Sequence, residues 1–121
     1  MRRLFKSFYY ASQGIGYAFR TQANLRIHLA VSIVVVIAGV WLQLSAIEWA
    51  ILVVTMMIVL SAELFNTAIE AALERVGTDM HPLAKIAKDT AAGAVFITAI
   101  GAVIVGLLIL GPKLLMLFAP R

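Results

Sequence analysis

Polar residues are confined to a few places along this chain, and the stretches between them are long enough to cross a bilayer. Apolar residues run with little interruption from Ile27 to Leu44, from Ile47 to Leu73 and from Thr90 to Phe118. A spanning helix needs roughly 20 apolar residues, so the pattern predicts transmembrane helices over 27–44, 47–73 and 90–118 with short connections. Residues 1–26 read differently. Leu4, Phe5, Phe8, Tyr9, Ile15 and Phe19 supply an apolar side, while Arg3, Lys6, Gln13 and Arg20 supply a basic and polar one. That arrangement predicts an amphipathic helix in the headgroup layer, favoured by apolar burial and anionic lipid; a plain basic anchor is the simpler alternative. Arg2, Arg3 and Lys6 are not followed by the compact apolar core of a cleavable signal peptide. The expected fold is all-α: one membrane domain over residues 1–121, built from an interfacial helix and three spans.

Composition agrees. Of 121 residues, 63% are hydrophobic and 13% charged, with a mean hydropathy of +1.00, too apolar for a soluble domain of this length. The absence of cysteine excludes disulfides and thiolate metal sites. The net charge of +4 carries information through topology, because Lys and Arg concentrate on the cytoplasmic side. Arg2, Arg3, Lys6, Arg20 and Arg26 precede the first span, the turn over 44–48 has no basic residue, and Arg75, Lys85 and Lys88 lie between the second and third spans. The N-terminus and the second loop are therefore expected to face the cytoplasm, with Lys113 and Arg121 on the far side of a multi-pass protein of the cytoplasmic membrane. A basic surface also suits nucleic acid, but no recognition fold accompanies it, so no nucleic-acid partner is expected.

The second span carries the candidate chemistry. Glu63, Asn66 and Glu70 occupy positions i, i+3 and i+7, which a helix gathers within roughly a 60° arc; Glu74 falls beside it. Ionisable groups at membrane depth are costly and mark chemistry or transport. Gly77 is a natural helix terminator, Thr78 and Asp79 are turn and N-cap types, and Pro82 suits the first turn of a new helix. That helix presents Lys85, Lys88 and Asp89, with Lys85 and Asp89 one turn apart and able to pair; a solvated helix start is the bland alternative. Ala91, Ala92 and Gly93 then allow close approach. Carboxylates hold Mg²⁺ through oxygen, a lysine neutralises phosphate, and a carboxylate beside a hydroxyl accepts its proton. Those are the parts of a phosphoryl transfer, with no glycine-rich Walker loop to hold the nucleotide.

The segments Glu63-Leu-Phe-Asn66-Thr-Ala-Ile-Glu70-Ala-Ala-Leu-Glu74-Arg75 and His81-Pro-Leu-Ala-Lys85-Ile-Ala-Lys88-Asp89-Thr-Ala-Ala-Gly93 resemble the signature of the small prokaryotic diacylglycerol kinase and undecaprenol kinase family. The resemblance extends over essentially the whole chain, including Trp41 at the end of the first span. It implies a homotrimeric membrane enzyme that phosphorylates a lipid alcohol with ATP and Mg²⁺, its active sites shared between protomers. On that resemblance Glu63 is the catalytic base, Asn66 an orienting group beside it, Glu70 the metal-binding carboxylate, and Lys88 and Asp89 the nucleotide-contacting pair. Arg3, Tyr10, Asp79 and His81 match positions lining the nucleotide site; for His81, a surface histidine before a proline is the alternative.

One position departs from the family pattern. Where the family commonly has a metal-site glutamate just before the first span, this chain has Gln22, and no acidic residue precedes Glu48. Gln22 offers a carbonyl oxygen without charge, which leaves weaker metal binding, compensation by another carboxylate such as Glu74, or a substitution of the natural residue at this position as the alternatives. The run Asn24-x-Arg26-x-His28 and the segment His81-Pro-Leu-Ala-Lys85 resemble undecaprenol kinases, whereas Glu74-Arg75-Val-Gly77 is closer to the diacylglycerol kinase form. The preferred substrate is therefore undecaprenol, with diacylglycerol as the alternative. A small proton- or cation-coupled transporter also uses intramembrane glutamates, but these cluster toward one end of a helix and no inverted repeat is visible. A purely structural role for the stripe leaves three aligned carboxylates unexplained.

Overall fold

The computed structural model describes residues 1–77 and 81–120. Asp79 lies outside the described residues. The described residues form four helices, α1 (Arg2–Thr21), α2 (Ala23–Trp41), α3 (Ala46–Val76) and α4 (Pro82–Phe118), and α2, α3 and α4 are each long and apolar enough to cross a membrane. No strand occurs among the described residues. The all-α expectation is met, and the helix bounds differ from the apolar runs because a helix continues into water where hydropathy no longer marks it.

The largest difference is at the start. α1 stops at Thr21, and Gln22 alone is extended, with φ −113° and ψ 107°, before α2 begins at Ala23. Arg26, expected inside the interfacial helix, belongs to α2 and reaches back: its Nη1 donates to the carbonyls of Phe19 at 2.8 Å and Arg20 at 3.1 Å. Those are orphan acceptors of the α1 terminus, which a cation satisfies well. α1 buries only Ala18 and leaves Phe5, Phe8, Tyr9 and Tyr10 exposed, a surface suited to the headgroup layer. Its small residues Ala11, Gly14 and Ala18 line a cleft of about 380 Å³ with Thr67, Ala68 and Ala71 of α3.

At the other membrane boundary the α2–α3 turn is tightly built. The N–H of Gln43 donates to the Val40 carbonyl and that of Leu44 to the Gly39 carbonyl, both at 3.2 Å, which is the Schellman pairing of a helix end. Gln43 takes the left-handed conformation (φ 55°) usually given to glycine. Gly39 is needed there for space: a Cβ on it would lie 2.6 Å from Trp49 Cη2 and 2.9 Å from Leu44 Cδ1. Ser45 then caps α3 through a reciprocal box, its Oγ accepting from Glu48 N at 3.2 Å and its N–H donating to Glu48 Oε1 at 3.1 Å. Lys113 Nζ of α4 also reaches Glu48 Oε1, at 3.4 Å.

α3 ends where expected, at Gly77 in the left-handed region with φ 90°. α4 starts at Pro82, and its N-cap is His81, whose Nδ1 accepts from the Leu83 N–H at 3.1 Å; Thr78, like Asp79, lies outside the described residues. The ring nitrogen does what a Ser or Asp oxygen does at other helix starts.

Candidate active site

The acidic stripe of α3 faces the rest of the bundle. Glu63 is the most thoroughly buried large side chain, at 1% exposure, and Asn66, one turn on, is 8% exposed. Thr67, also buried, donates its hydroxyl to the Glu63 carbonyl at 2.8 Å. Glu70 is half-buried and Glu74 exposed. The gradient follows depth. At about 1.5 Å per residue, and measured from Glu48 for a helix along the membrane normal, Glu63 stands about 22 Å along α3, Asn66 about 27 Å, Glu70 about 33 Å and Glu74 about 39 Å. A hydrocarbon core of about 30 Å therefore ends between Asn66 and Glu70.

Two contacts reach the stripe from α2 and its N-cap residue. Gln22 Nε2 donates to Glu70 Oε2 at 3.2 Å, and His28 Nε2 lies 3.2 Å from Glu63 Oε1. The extended conformation of Gln22 makes the first contact possible by turning its side chain off the end of α1 toward α3. Among the described residues Glu63 Oε1 has no partner apart from the His28 imidazole, and Asn66 Oδ1 has none. Buried acceptors are nearly always satisfied in folded proteins, so Asn66 Oδ1, left without a donor beside the buried Glu63 carboxylate, marks room for an incoming donor.

The remaining candidates lie apart. Lys85 of α4 pairs with Asp89 through its Nζ and Asp89 Oδ2, and both side chains are well exposed. Lys88 is exposed as well, and among the described residues it forms no ion pair. Arg3 and Tyr10 are exposed on α1, where Tyr10 makes an edge contact with Tyr9. His81 is committed through Nδ1 to its capping bond, leaving Nε2 for other use.

His28 is the functional candidate that sequence reasoning passed over as part of a family motif. It is the single ionisable residue of the run 27–44, and the rule that singled out the glutamates applies to it equally. Among the described residues no three His, Asp or Glu side chains gather as a metal cluster. Mg²⁺ rarely uses an all-protein cage; it is held by one or two carboxylates together with substrate phosphates and water. The Glu70 carboxylate beside the Gln22 amide fits that mode of binding.

Elements and site together define a multi-pass helical membrane protein with a buried carboxylate and amide opening at one membrane boundary. A family model described as prokaryotic diacylglycerol kinase matches residues 9–110. The chain is 50% identical over 115 residues to a diacylglycerol kinase of Synechocystis sp., covering 94% of this chain and 66% of the relative. It is 46% identical over 114 residues to an undecaprenol kinase of Bacillus subtilis, covering 94% of this chain and 93% of the relative. A diacylglycerol kinase of Escherichia coli is 34% identical over 102 residues, 84% of each chain. The chain belongs to the prokaryotic diacylglycerol kinase family, a family of membrane lipid kinases, as its motifs predict, and ATP-dependent phosphorylation of a lipid alcohol is the chemistry of that family.

Proposed function

We propose that this protein transfers the γ-phosphoryl group of ATP to undecaprenol at the cytoplasmic boundary of the membrane, with Glu63 as base. The observation that carries this reading is the buried Glu63 carboxylate, one oxygen of which faces His28, beside Asn66 Oδ1, which has no donor among the described residues; both lie just inside the hydrocarbon edge where the hydroxyl of a lipid alcohol arrives. The hydroxyl donates to Glu63, and its proton passes to that carboxylate as the oxygen attacks the γ-phosphorus. Asn66 holds the oxygen in line. Glu70, one turn beyond Asn66 and at headgroup depth, with Gln22 beside it, would hold Mg²⁺ delivered with the nucleotide. When bound, the ion supplies charge neutralisation on the phosphates.

Lys88, Asp89 and His81 at the exposed start of α4, with Arg3 and Tyr10 of α1 and Asp79, are assigned to the nucleotide. A lysine charge in such a place offsets phosphate charge as the transfer proceeds. Glu74, exposed and about 39 Å along α3, is the reserve carboxylate for the metal. Four helices of this length are too small to enclose both a nucleotide and a lipid alone, which supports oligomerisation; its order, a homotrimer with sites shared between protomers, comes from the family resemblance. The basic residues of α1 and those at the facing ends of α3 and α4, Arg75, Lys85 and Lys88, support a cytoplasmic N-terminus and second loop.

The choice of undecaprenol rests on Asn24, Arg26 and His28 and on the Bacillus subtilis relative, matched over 93% of its length. The Synechocystis relative at 50% identity favours diacylglycerol as the second reading. Purified protein in lipid vesicles, given ATP and Mg²⁺, is expected to consume ATP only when a lipid alcohol is present, and faster with undecaprenol than with diacylglycerol. ATP consumption independent of lipid would sink the kinase reading; a clear preference for diacylglycerol would reverse the substrate assignment.

A further inference from the structure

His28 is the only basic side chain at salt-bridge distance from Glu63 among the described residues. We propose that it is a positioning residue for the phosphoryl acceptor, its imidazole fixing one oxygen of the Glu63 carboxylate so that the other meets the lipid hydroxyl. The inference rests on the assignment of Glu63 as base.

Three observations support it. A carboxylate about 22 Å along α3 from Glu48 lies within the hydrocarbon, where an anion without a partner is costly, and the imidazole at 3.2 Å is the partner present. Gln22, the N-cap residue just before α2, contacts Glu70 at the same 3.2 Å, so two cross-links of equal length join the first turns of α2 to the stripe. They fix the base relative to the headgroup-level carboxylate, and misplacement of a reacting group by 1 Å is enough to cost about 10²-fold in rate. Finally, His28 is not sealed in with Glu63. Its side chain is 25% exposed and forms one end of an apolar groove of about 440 Å³ between α2, α3 and α4, continued by Val31, Val35 and Val59. The imidazole therefore bridges the buried base and a lipid-facing surface.

The test is steady-state kinetics of the full chain in vesicles with undecaprenol, for wild type, His28→Leu, His28→Gln, Glu63→Gln and the double variant His28→Leu/Glu63→Gln. His28→Leu is expected to lower kcat roughly 10²-fold with the KM for ATP unchanged. His28→Gln keeps a side-chain N–H and is expected to recover about tenfold of that loss, the worth of one hydrogen bond to a charged group. In the Glu63→Gln background His28→Leu is expected to cost nothing further, as for residues acting through one another. Wild-type kcat in His28→Leu, or an undiminished loss in the Glu63→Gln background, would overturn the role. If His28→Leu loses its helical circular dichroism, His28→Asn, too short to reach Glu63, replaces it with the same expected loss and the same overturning result. A wild-type protein that phosphorylates no lipid alcohol would sink the kinase reading and this role together, whereas an active wild type with indifferent His28 variants sinks this role alone.

Discussion

Replacing Gln22 with glutamate tests the metal assignment where the geometry is explicit. Gln22→Glu exchanges an N–H donor at 3.2 Å from Glu70 Oε2 for a second carboxylate. At that separation two unit charges repel by about 1 kcal/mol in bulk water and about 5 kcal/mol at an effective dielectric of 20, and half-buried Glu70 lies between those limits. Without metal the variant should therefore unfold at lower temperature than wild type. With metal the sign reverses, because both carboxylates become hard oxygen ligands of one cation. At about 1.4 kcal/mol per tenfold, even the smaller figure corresponds to about a fivefold gain in apparent Mg²⁺ affinity. Thermal unfolding in detergent across a Mg²⁺ titration reads this without turnover, and activity at limiting Mg²⁺ reads it a second way. The gain should vanish in a Glu70→Gln background. If Gln22→Glu is no less stable in EDTA and gains nothing from Mg²⁺, or gains equally without Glu70, the pair is not a metal site.

Glu63→Gln should lower kcat by roughly 10²-fold or more while leaving nucleotide affinity nearly unchanged; weakened ATP binding with intact turnover would remove Glu63 from the base role. Lys88→Ala should raise the KM for ATP and slow transfer, whereas Lys85→Ala, which breaks only the exposed pair with Asp89, should do much less; equal effects would reduce both to bulk surface charge. Gly39→Ala places a Cβ 2.6 Å from Trp49 Cη2 and should destabilise the protein by about 1–3 kcal/mol, read as a lower unfolding temperature, and a variant as stable as wild type would show that the turn yields freely.

Much of the fold was legible because bilayer physics writes itself into composition. Long apolar runs announce the spans, Gly77 and Pro82 mark helix ends by backbone geometry alone, and the i, i+3, i+7 spacing puts Glu63 and Asn66 on one buried face. The Lys85–Asp89 pair is equally local. What was not legible depends on partners distant in sequence. No glycine or proline announces the break at Gln22; it is stabilised by Arg26 returning to two carbonyls of α1 and by Glu70 on another helix. Gln43 is an unusual residue for a left-handed helix end, and the turn tolerates it because Gly39, Leu44 and Trp49 already fix the chain there. His28 disappears within a window average dominated by valine and isoleucine. Its meaning emerges only when α2 and α3 lie side by side.

The Glu48–Lys113 clasp lies at the end of the bundle opposite Glu70, together with the Gly39–Trp49 contact. At the opposite end the same two helices are joined by the chain itself, since α3 ends at Val76 and α4 begins at Pro82. Rails pinned at both ends keep their gauge: neither end splays without straining the tie at the other. Glu63, about 22 Å along α3 from Glu48, therefore sits on a span whose separation from α4 is set from both faces of the membrane, and a load applied at one face is carried to the other.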